Sequence, residues 1–512
     1  MVLTHAKDIT AAFGVKGDVK DCVLTVPSFY TQHERRALLD AAALADLNIL
    51  ALLDENTAAG LHYGIDRIDD EPQNMVFYNM GASALQVSVM QFYSYDRKEG
   101  KYSKAKKVGA FQVLGKAWDA SLGGIAFDSR VVNHMADEFN EIWDKKRGDG
   151  ETKDVRKFAR PMAKLRIMAN KVKHVLSANN DFPIFIDGLH DDINYQSHLS
   201  RATFEEICHD LLERSSDPIT RALTAANMTM EDIHGIELIG GGMRVPKVQD
   251  SIREALGNDM KLGMHINSDE SMALGAAFHG ANISTAFKVR HVGMTDINPF
   301  PISISLDELN EVVETKDGEE PWSKFATIFK ANGKVGVKKT IAFTHETDVA
   351  CALDYDDDNE ALPAGTGKSI EKYTITGVAD FAKEMAEKEL GSPKVSLQFE
   401  LSTSGLVKLV KAEAAVEETY TVTEEVEVDD EDAGEDEDAG ADATEEAEEK
   451  KEDETAEAET EDTKEDEKTT DDKNETESDT EEKKEEKPKK KKMISVEKVS
   501  CNNLTAGLVI VP

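Results

Sequence analysis

From residue 21 onward, short unbroken apolar runs alternate with longer stretches of helical spacing. Cys22-Val-Leu-Thr-Val26 reads as a buried-type strand, stopped by Pro27, whose ring fixes φ and removes a donor. Residues 32–46 place Leu38, Ala41, Ala42 and Ala45 on one helical face, and Ile49 to Leu53 followed by 57–63 repeats the strand–helix pair. Two further strands, 75–78 and 85–92, turn through Gly81; a polar hairpin follows, and Gly123-Gly124 opens a helix reaching 143. The stripe Met162, Leu165, Ile167, Met168 and Val172 predicts one long helix over 154–177, and a second is predicted over 203–226. Strands alternating with helices in this way argue for α/β layers.

At 236–246 the apolar run Ile236–Ile239 ends in Gly240-Gly241-Gly242, and helical spacing resumes from Pro246 through Val248, Ile252 and Leu256. Without a Cβ, glycine lets backbone N–H groups approach a ligand closely. Those donors and the helix N-terminus beyond them suit an anion such as phosphate. The same triplet also serves plain strand-to-helix junctions, so its meaning depends on the rest of the chain.

Near 288 the period drops to two. Ile302-Ser-Ile-Ser, Thr340-Ile-Ala-Phe, Lys394-Val-Ser-Leu-Gln-Phe and Leu406-Val-Lys-Leu-Val, punctuated by Gly and Pro, predict an antiparallel β-domain. The organisation expected is therefore an α/β domain over 1–287, a β-domain over 288–420, an acidic insertion over 421–492 and a resumed β-domain over 493–512.

Composition sharpens this division. Residues 421–480 hold 31 Asp and Glu against 5 Lys, which is more than half of the chain's net charge of −40. With almost no large apolar residue after Val428, this segment cannot offset the entropy of ordering and is expected to be disordered. The lysine-rich run Lys487 to Lys492 reads as its solvated counter-charge. Such acidity argues against nucleic-acid binding by phosphate neutralisation. Cys22, Cys208, Cys351 and Cys501 are far apart and the thirteen histidines lack paired spacing, so neither a disulfide framework nor a metal site is expected. No apolar run reaches the roughly 18 residues of a membrane span, and the first 25 residues lack a secretory signal pattern. Sequons begin at Asn227, Asn282, Asn474 and Asn503, a number that a chain this long shows by chance, so by themselves they say little about secretion.

Several stretches together resemble the seventy-kilodalton heat-shock chaperone family: Val26-Pro-Ser-Phe29, Asp54-Glu-Asn-Thr-Ala-Ala59, Asp119-Ala-Ser-Leu-Gly-Gly124, Phe127-Asp128, Arg201-Ala-Thr-Phe-Glu-Glu206, Gly240-Gly-Gly-Met-Arg-Val-Pro246 and Asn267-Ser-Asp-Glu270. The resemblance covers 21–287 closely and 288–420 more loosely, through Leu401-Ser-Thr-Ser-Gly-Leu406 and Ile375-Thr-Gly377. It implies an actin-like ATPase fold followed by an antiparallel β-sandwich carrying the acidic insertion. It also implies that lobe I is incomplete and lobe II complete, as if the chain were truncated at both ends. A lobe short of strands is expected to make the isolated chain unstable or dependent on a partner.

By the same resemblance, Gly240, Gly241, Gly242 and Arg244 match the adenosine-phosphate turn, and Gly81 and Gly124 match turns around the phosphates. Lys173 and Ser177, four apart on one helical face, match positions that pack adenine and ribose. Asp269 is expected to open a helix whose small residues Ala273, Gly275, Ala276 and Ala277 pack under the nucleotide. Glu55 matches a carboxylate that positions phosphate and water, the single catalytic candidate. The cofactor implied is ATP or ADP, with Mg²⁺.

Departures from the family pattern are concentrated in the second phosphate turn. The usual Asp-Leu-Gly-Gly-Gly-Thr-Phe-Asp is here Asn79-Met-Gly-Ala-Ser-Ala-Leu-Gln86, so both carboxylates are amides. An amide is neither a general base nor a good partner for hydrated Mg²⁺. Asn170 and His174 replace a glutamate and an arginine, and Asn56 replaces a proline. Nucleotide binding with weak or absent hydrolysis is the expectation. Together with the acidic insertion, these changes resemble the large endoplasmic-reticulum subclass. That subclass implies a lumenal location, unfolded polypeptide clients, and service as nucleotide-exchange partner of a conventional lumenal heat-shock chaperone. Alternatives are an autonomous ATP-hydrolysing chaperone, an actin-like sugar kinase, and an acidic protein-binding scaffold.

Overall fold

The computed structural model describes residues 1–511 apart from 15–18, 69, 99–102, 148–152, 258–259, 285–287, 310–321, 357–361 and 430–490. Asp21–Val26 and Asn48–Asp54 pair in parallel across the helix Gln32–Leu44, forming a two-stranded sheet. A larger, six-stranded sheet runs in the order Gly293–Thr295, Lys106–Asp119, Leu85–Arg97, Gln73–Met80, Gly235–Ile239, Leu262–Gly263. Its centre is an antiparallel meander, and strands Gly293–Thr295, Gly235–Ile239 and Leu262–Gly263 add to it in parallel.

One face of this sheet buries Val76, Tyr78, Leu85 and Val87 against Phe127, Met135 and Phe139 of the helix Gly124–Arg147 and Leu165, Ala169 and Val172 of the helix Ala159–Leu176. The other face packs Phe77, Phe92 and Phe111 on Tyr63 of the helix Glu55–Gly64. Thus Gln73–Met80 is buried on both faces, and its apolar run Met75 to Tyr78 follows from that position.

Several sequence expectations shift. The second half of the polar hairpin is Lys106–Asp119, a 14-residue strand, whose Lys116 is buried against the carboxylates of Asp54 and Asp296. The long helix starts five residues late, at Ala159, after the turn Val155–Lys157. Its Ile167 is 74% exposed, outside the buried stripe predicted to contain it. The 203–226 helix divides into Arg201–Ile207, His209–Glu213 and Asp217–Ala225. Ser215 donates its hydroxyl to the Leu212 carbonyl at 2.6 Å, and Pro218 fits only the first turn of a new helix. The hairpin Asp181–His190/Ile193–Ser200 was not foreseen; it turns through Asp191 and Asp192, both at positive φ.

Beyond residue 296 two antiparallel sheets face each other. One has the order Ser323–Phe329, Ile302–Glu308, Val349–Tyr355, Ser369–Thr376, Val509–Val511; the other Val337–Thr344, Lys394–Leu401, Val407–Asp429, Lys491–Gly507. Alternate residues of both close one core, Ile302, Ile304 and Leu306 from the first meeting Val395, Leu397 and Phe399 from the second. The helix Val378–Glu387, missed from the sequence, covers one end with Phe381 and Met385. The strand pair of the second sheet continues through Asp429 opposite Lys491, inside the span expected to be disordered. Residues 430–490, the rest of the acidic insertion, lie outside the described residues.

Candidate functional site

An apolar-lined cavity of about 280 Å³ opens where four segments distant in sequence converge. Gly81 and Ala82 come from the turn after Gln73–Met80, Gly124 to Asp128 from the start of a helix, Asn170 to Ser177 from the end of another, and Gly241 to Val245 from the triple-glycine turn. Of the residues singled out from the sequence, Gly81, Gly124, Lys173, Ser177, Gly241, Gly242 and Arg244 line it. Gly240, Asp269 and Glu55 do not.

The glycines have separable roles. Gly240 sits at φ +83, and a Cβ there would lie 2.4 Å from the Met80 carbonyl oxygen. It lets two strands approach rather than facing the cavity. Gly241 has open space where a Cβ would go. The Gly124 N–H donates to the Gly81 carbonyl at 3.0 Å and the Ile125 N–H to the Ala82 carbonyl at 2.8 Å. These amides stitch the two turns together, so both turns shape the cavity while these two N–H groups donate to backbone carbonyls. The short turn Gly241–Arg244 begins with N–H groups that have no partner within the turn.

Lys173 is held in place before any ligand arrives. Its Nζ lies 2.8 Å from Asp128 Oδ1 and donates to the Gly124 carbonyl at 2.9 Å. Asn170 Nδ2 donates to Asp128 Oδ2 at 3.1 Å, so Asp128 orients both. Asp128 was present in the quoted Phe127-Asp128 pair, but nothing in the sequence spacing gave it a role. The Ser177 hydroxyl donates to the His174 carbonyl at 2.7 Å, at the helix C-terminus.

Arg244 pairs with Asp269 at 2.8 Å, both half exposed. The helix expected to open at Asp269 starts at Ser271, with Glu270 as its cap. Its small residues serve a different neighbour: a Cβ on Gly275 would overlap the Ala58 carbonyl oxygen, so this helix packs directly on Glu55–Gly64.

Behind the Gly81 turn lies a chain of amides. The Ser28 N–H donates to Gln86 Oε1 at 2.7 Å, Gln86 Nε2 donates to Glu55 Oε2 at 2.5 Å, and Asn79 Nδ2 reaches the same oxygen at 3.4 Å. Asn79 and Gln86 are both buried. Burial pushes the Glu55 carboxyl above the ordinary carboxylate range, with the charge of Asp54 adding to it and the two amide hydrogen bonds opposing it.

One residue earlier, Asp54 anchors a buried charge cluster. Its two oxygens meet Arg35 Nη2 at 2.7 Å and Lys116 Nζ at 2.6 Å, and Lys116 also meets Asp296 at 2.5 Å. Burial alone would raise Asp54, but Lys116 and Arg35 outweigh it and hold the carboxyl at about 2. Burial likewise opposes the Lys116 ammonium, and Asp296 and Asp54 more than compensate, so Lys116 is raised. Arg35 continues to the β-sheet region, donating to the Ser404 carbonyl at 3.0 Å. Gln32 and Arg36 on the same helix reach Gly405, Val407, Ile370 and Glu371. Arg35 lies three and seven residues before Leu38 and Ala42, on the face the spacing marks as apolar, and is buried there with Gln32.

Among the described residues, no group of three or more His, Cys, Asp or Glu side chains is placed to hold a metal ion, and no helix is long and apolar enough to cross a membrane.

The Hsp70 protein family model matches residues 1–506. The chain is 36% identical over 422 residues to "Heat shock 70 kDa protein 17" of Arabidopsis thaliana, covering 82% of this chain and 47% of that protein. It is 35% identical over 434 residues to "Hypoxia up-regulated protein 1" of Xenopus tropicalis (83% and 64%), and 34% over 426 residues to the Homo sapiens protein of that name (81% and 41%). The chain spans about half the length of the curated relatives it matches.

Proposed function

The chain belongs to the Hsp70 protein family, whose actin-like ATPase domain precedes a β-sandwich, and on that footing we propose that it is part of a chaperone that holds ADP or ATP in the cavity between the glycine turns. The observation that carries this reading is convergence. Gly81, Gly124, Lys173, Ser177, Gly241, Gly242 and Arg244, from four separated segments, enclose one apolar-lined cavity with two cations on its wall. Apolar lining with a few convergent polar groups suits a nucleoside, with Lys173 and Ser177 toward adenine and ribose and Arg244 in the adenosine-phosphate turn.

Hydrolysis is the step for which these residues are least equipped. Water activation needs a free base, and Glu55 is occupied by two amide donors where the family pattern has carboxylates. Nucleotide is here a structural and regulatory ligand. The β-sandwich beyond 296 binds exposed apolar segments of unfolded polypeptide. The likeness to proteins named hypoxia up-regulated protein 1 supports work in the endoplasmic reticulum lumen, as nucleotide-exchange partner of a conventional heat-shock chaperone. Exchange requires gripping and opening another ATPase domain, which needs no hydrolytic base on the gripping side.

The test mixes the full-length protein with a conventional lumenal chaperone loaded with labelled ADP. Acceleration of ADP release over the spontaneous rate is expected; an unchanged rate removes the exchange role.

A further inference from the structure

The family resemblance implies Mg²⁺ beside the phosphates, and the residues behind the Gly81 turn do not fit it. Mg²⁺ demands near-ideal octahedral oxygen coordination and is held through one or two carboxylates, waters and phosphate oxygens. Asn79 and Gln86 stand where the resemblance calls for carboxylates. Their orientation follows from the hydrogen bonds: the Gln86 oxygen accepts from the Ser28 N–H, which leaves its NH₂ to donate to Glu55. The Asn79 NH₂ is turned to the same carboxylate. Glu55 therefore meets donors, not water-borne cation, on the Oε2 side. The one carboxylate on the cavity wall, Asp128, is held by Lys173 and Asn170.

We infer that this site takes its adenine nucleotide free of metal, the Asn79 and Gln86 amides satisfying Glu55 by hydrogen bonds where the family pattern sets carboxylates for a hydrated cation. The inference rests on the nucleotide reading of the cavity. An amide pair stabilises one carboxylate by charge-assisted hydrogen bonds without needing a cation to hold several carboxylates together. Burial of Glu55, which favours its protonated form, further weakens it as a metal ligand.

The test is calorimetric titration of the full chain with ADP, once in excess EDTA and once in excess Mg²⁺. Dissociation constants agreeing within about threefold are expected, since no first-sphere carboxylate is available to reward the metal. A larger Mg²⁺-dependent gain overturns the inference. No binding in either buffer removes the nucleotide reading itself and the inference with it, an outcome distinct from Mg²⁺ dependence. A second measurement uses Gln86→Glu, which sets a second carboxylate against Glu55. Its melting temperature is expected to fall in EDTA and to recover with Mg²⁺ and ADP; a variant indifferent to Mg²⁺ in both melting and ADP affinity contradicts the role given to the amides.

Discussion

Asp54 and Lys116 meet at 2.6 Å with side chains only 4% and 1% exposed, joining a strand end of the small sheet to the second strand of the large one. Lys116 also holds Asp296 and donates to the Ile297 carbonyl at 3.0 Å, at the entry to the β-sandwich. One ammonium thus serves three parts of the molecule. Lys116→Ala leaves buried Asp296 without a cation and Asp54 with Arg35 alone, and a loss of about 3–5 kcal/mol is expected from urea melts. A loss below about 1 kcal/mol would mean that water reaches the cluster.

The same cluster sets an acid limit. Asp54 is held at about 2, whereas an unfolded aspartate titrates near ~3.9. A depressed carboxyl contributes stability above its unfolded value and loses it as pH falls through the folded one. Wild-type stability is expected to fall by roughly 2 kcal/mol more than that of Asp54→Asn between about pH 4 and pH 2. Parallel stability curves for the two proteins over that window would contradict this.

Glu55 titrates with the opposite sign. Its folded value is raised, so ionisation weakens the fold as pH rises through that value. Glu55→Gln keeps an acceptor for the Gln86 amide, and its stability relative to wild type is expected to improve from acid to neutral pH. Thermal melts at both ends of this range give the comparison. A variant that loses ground toward neutrality would show that the ionised carboxylate is a net stabiliser.

Gly240 and Gly241 separate fold from ligand. Gly240→Ala combines positive φ with a Cβ driven onto the Met80 carbonyl, and a loss of at least about 2 kcal/mol is expected. Gly241→Ala meets open space and is expected to change stability by less than about 0.5 kcal/mol while weakening ADP binding several-fold. Equal effects of the two substitutions on stability would contradict the assigned geometry.

Alternation of apolar runs and helical stripes was enough to place most strands and helices of the large sheet, because burial on both faces writes itself into runs such as Met75 to Tyr78. What stayed hidden was polar burial. The sequence analysis gave no role to Gln32, Arg35 and Lys116, and only their partners in distant segments, Gly405, Ser404, Asp54 and Asp296, explain their burial. The motif resemblance brought Gly81, Lys173 and Gly241 to one cavity, whereas Asp128 needed the folded distances to Lys173 and Asn170. Asp269 illustrates the converse, a motif position that does not line the cavity and touches it only through its ion pair with Arg244.

Lys173 is the residue through which the nucleotide reading is tested most directly, since Asp128 and Gly124 already hold its ammonium at the cavity wall. Titrating the intact protein and Lys173→Met with ADP in a calorimeter measures it. Saturable one-site binding, weakened about tenfold or more by the substitution, is expected for a charge-assisted phosphate or ribose contact. Absence of saturable heat from the intact protein, or identical affinity in Lys173→Met, would contradict the assignment of this cavity.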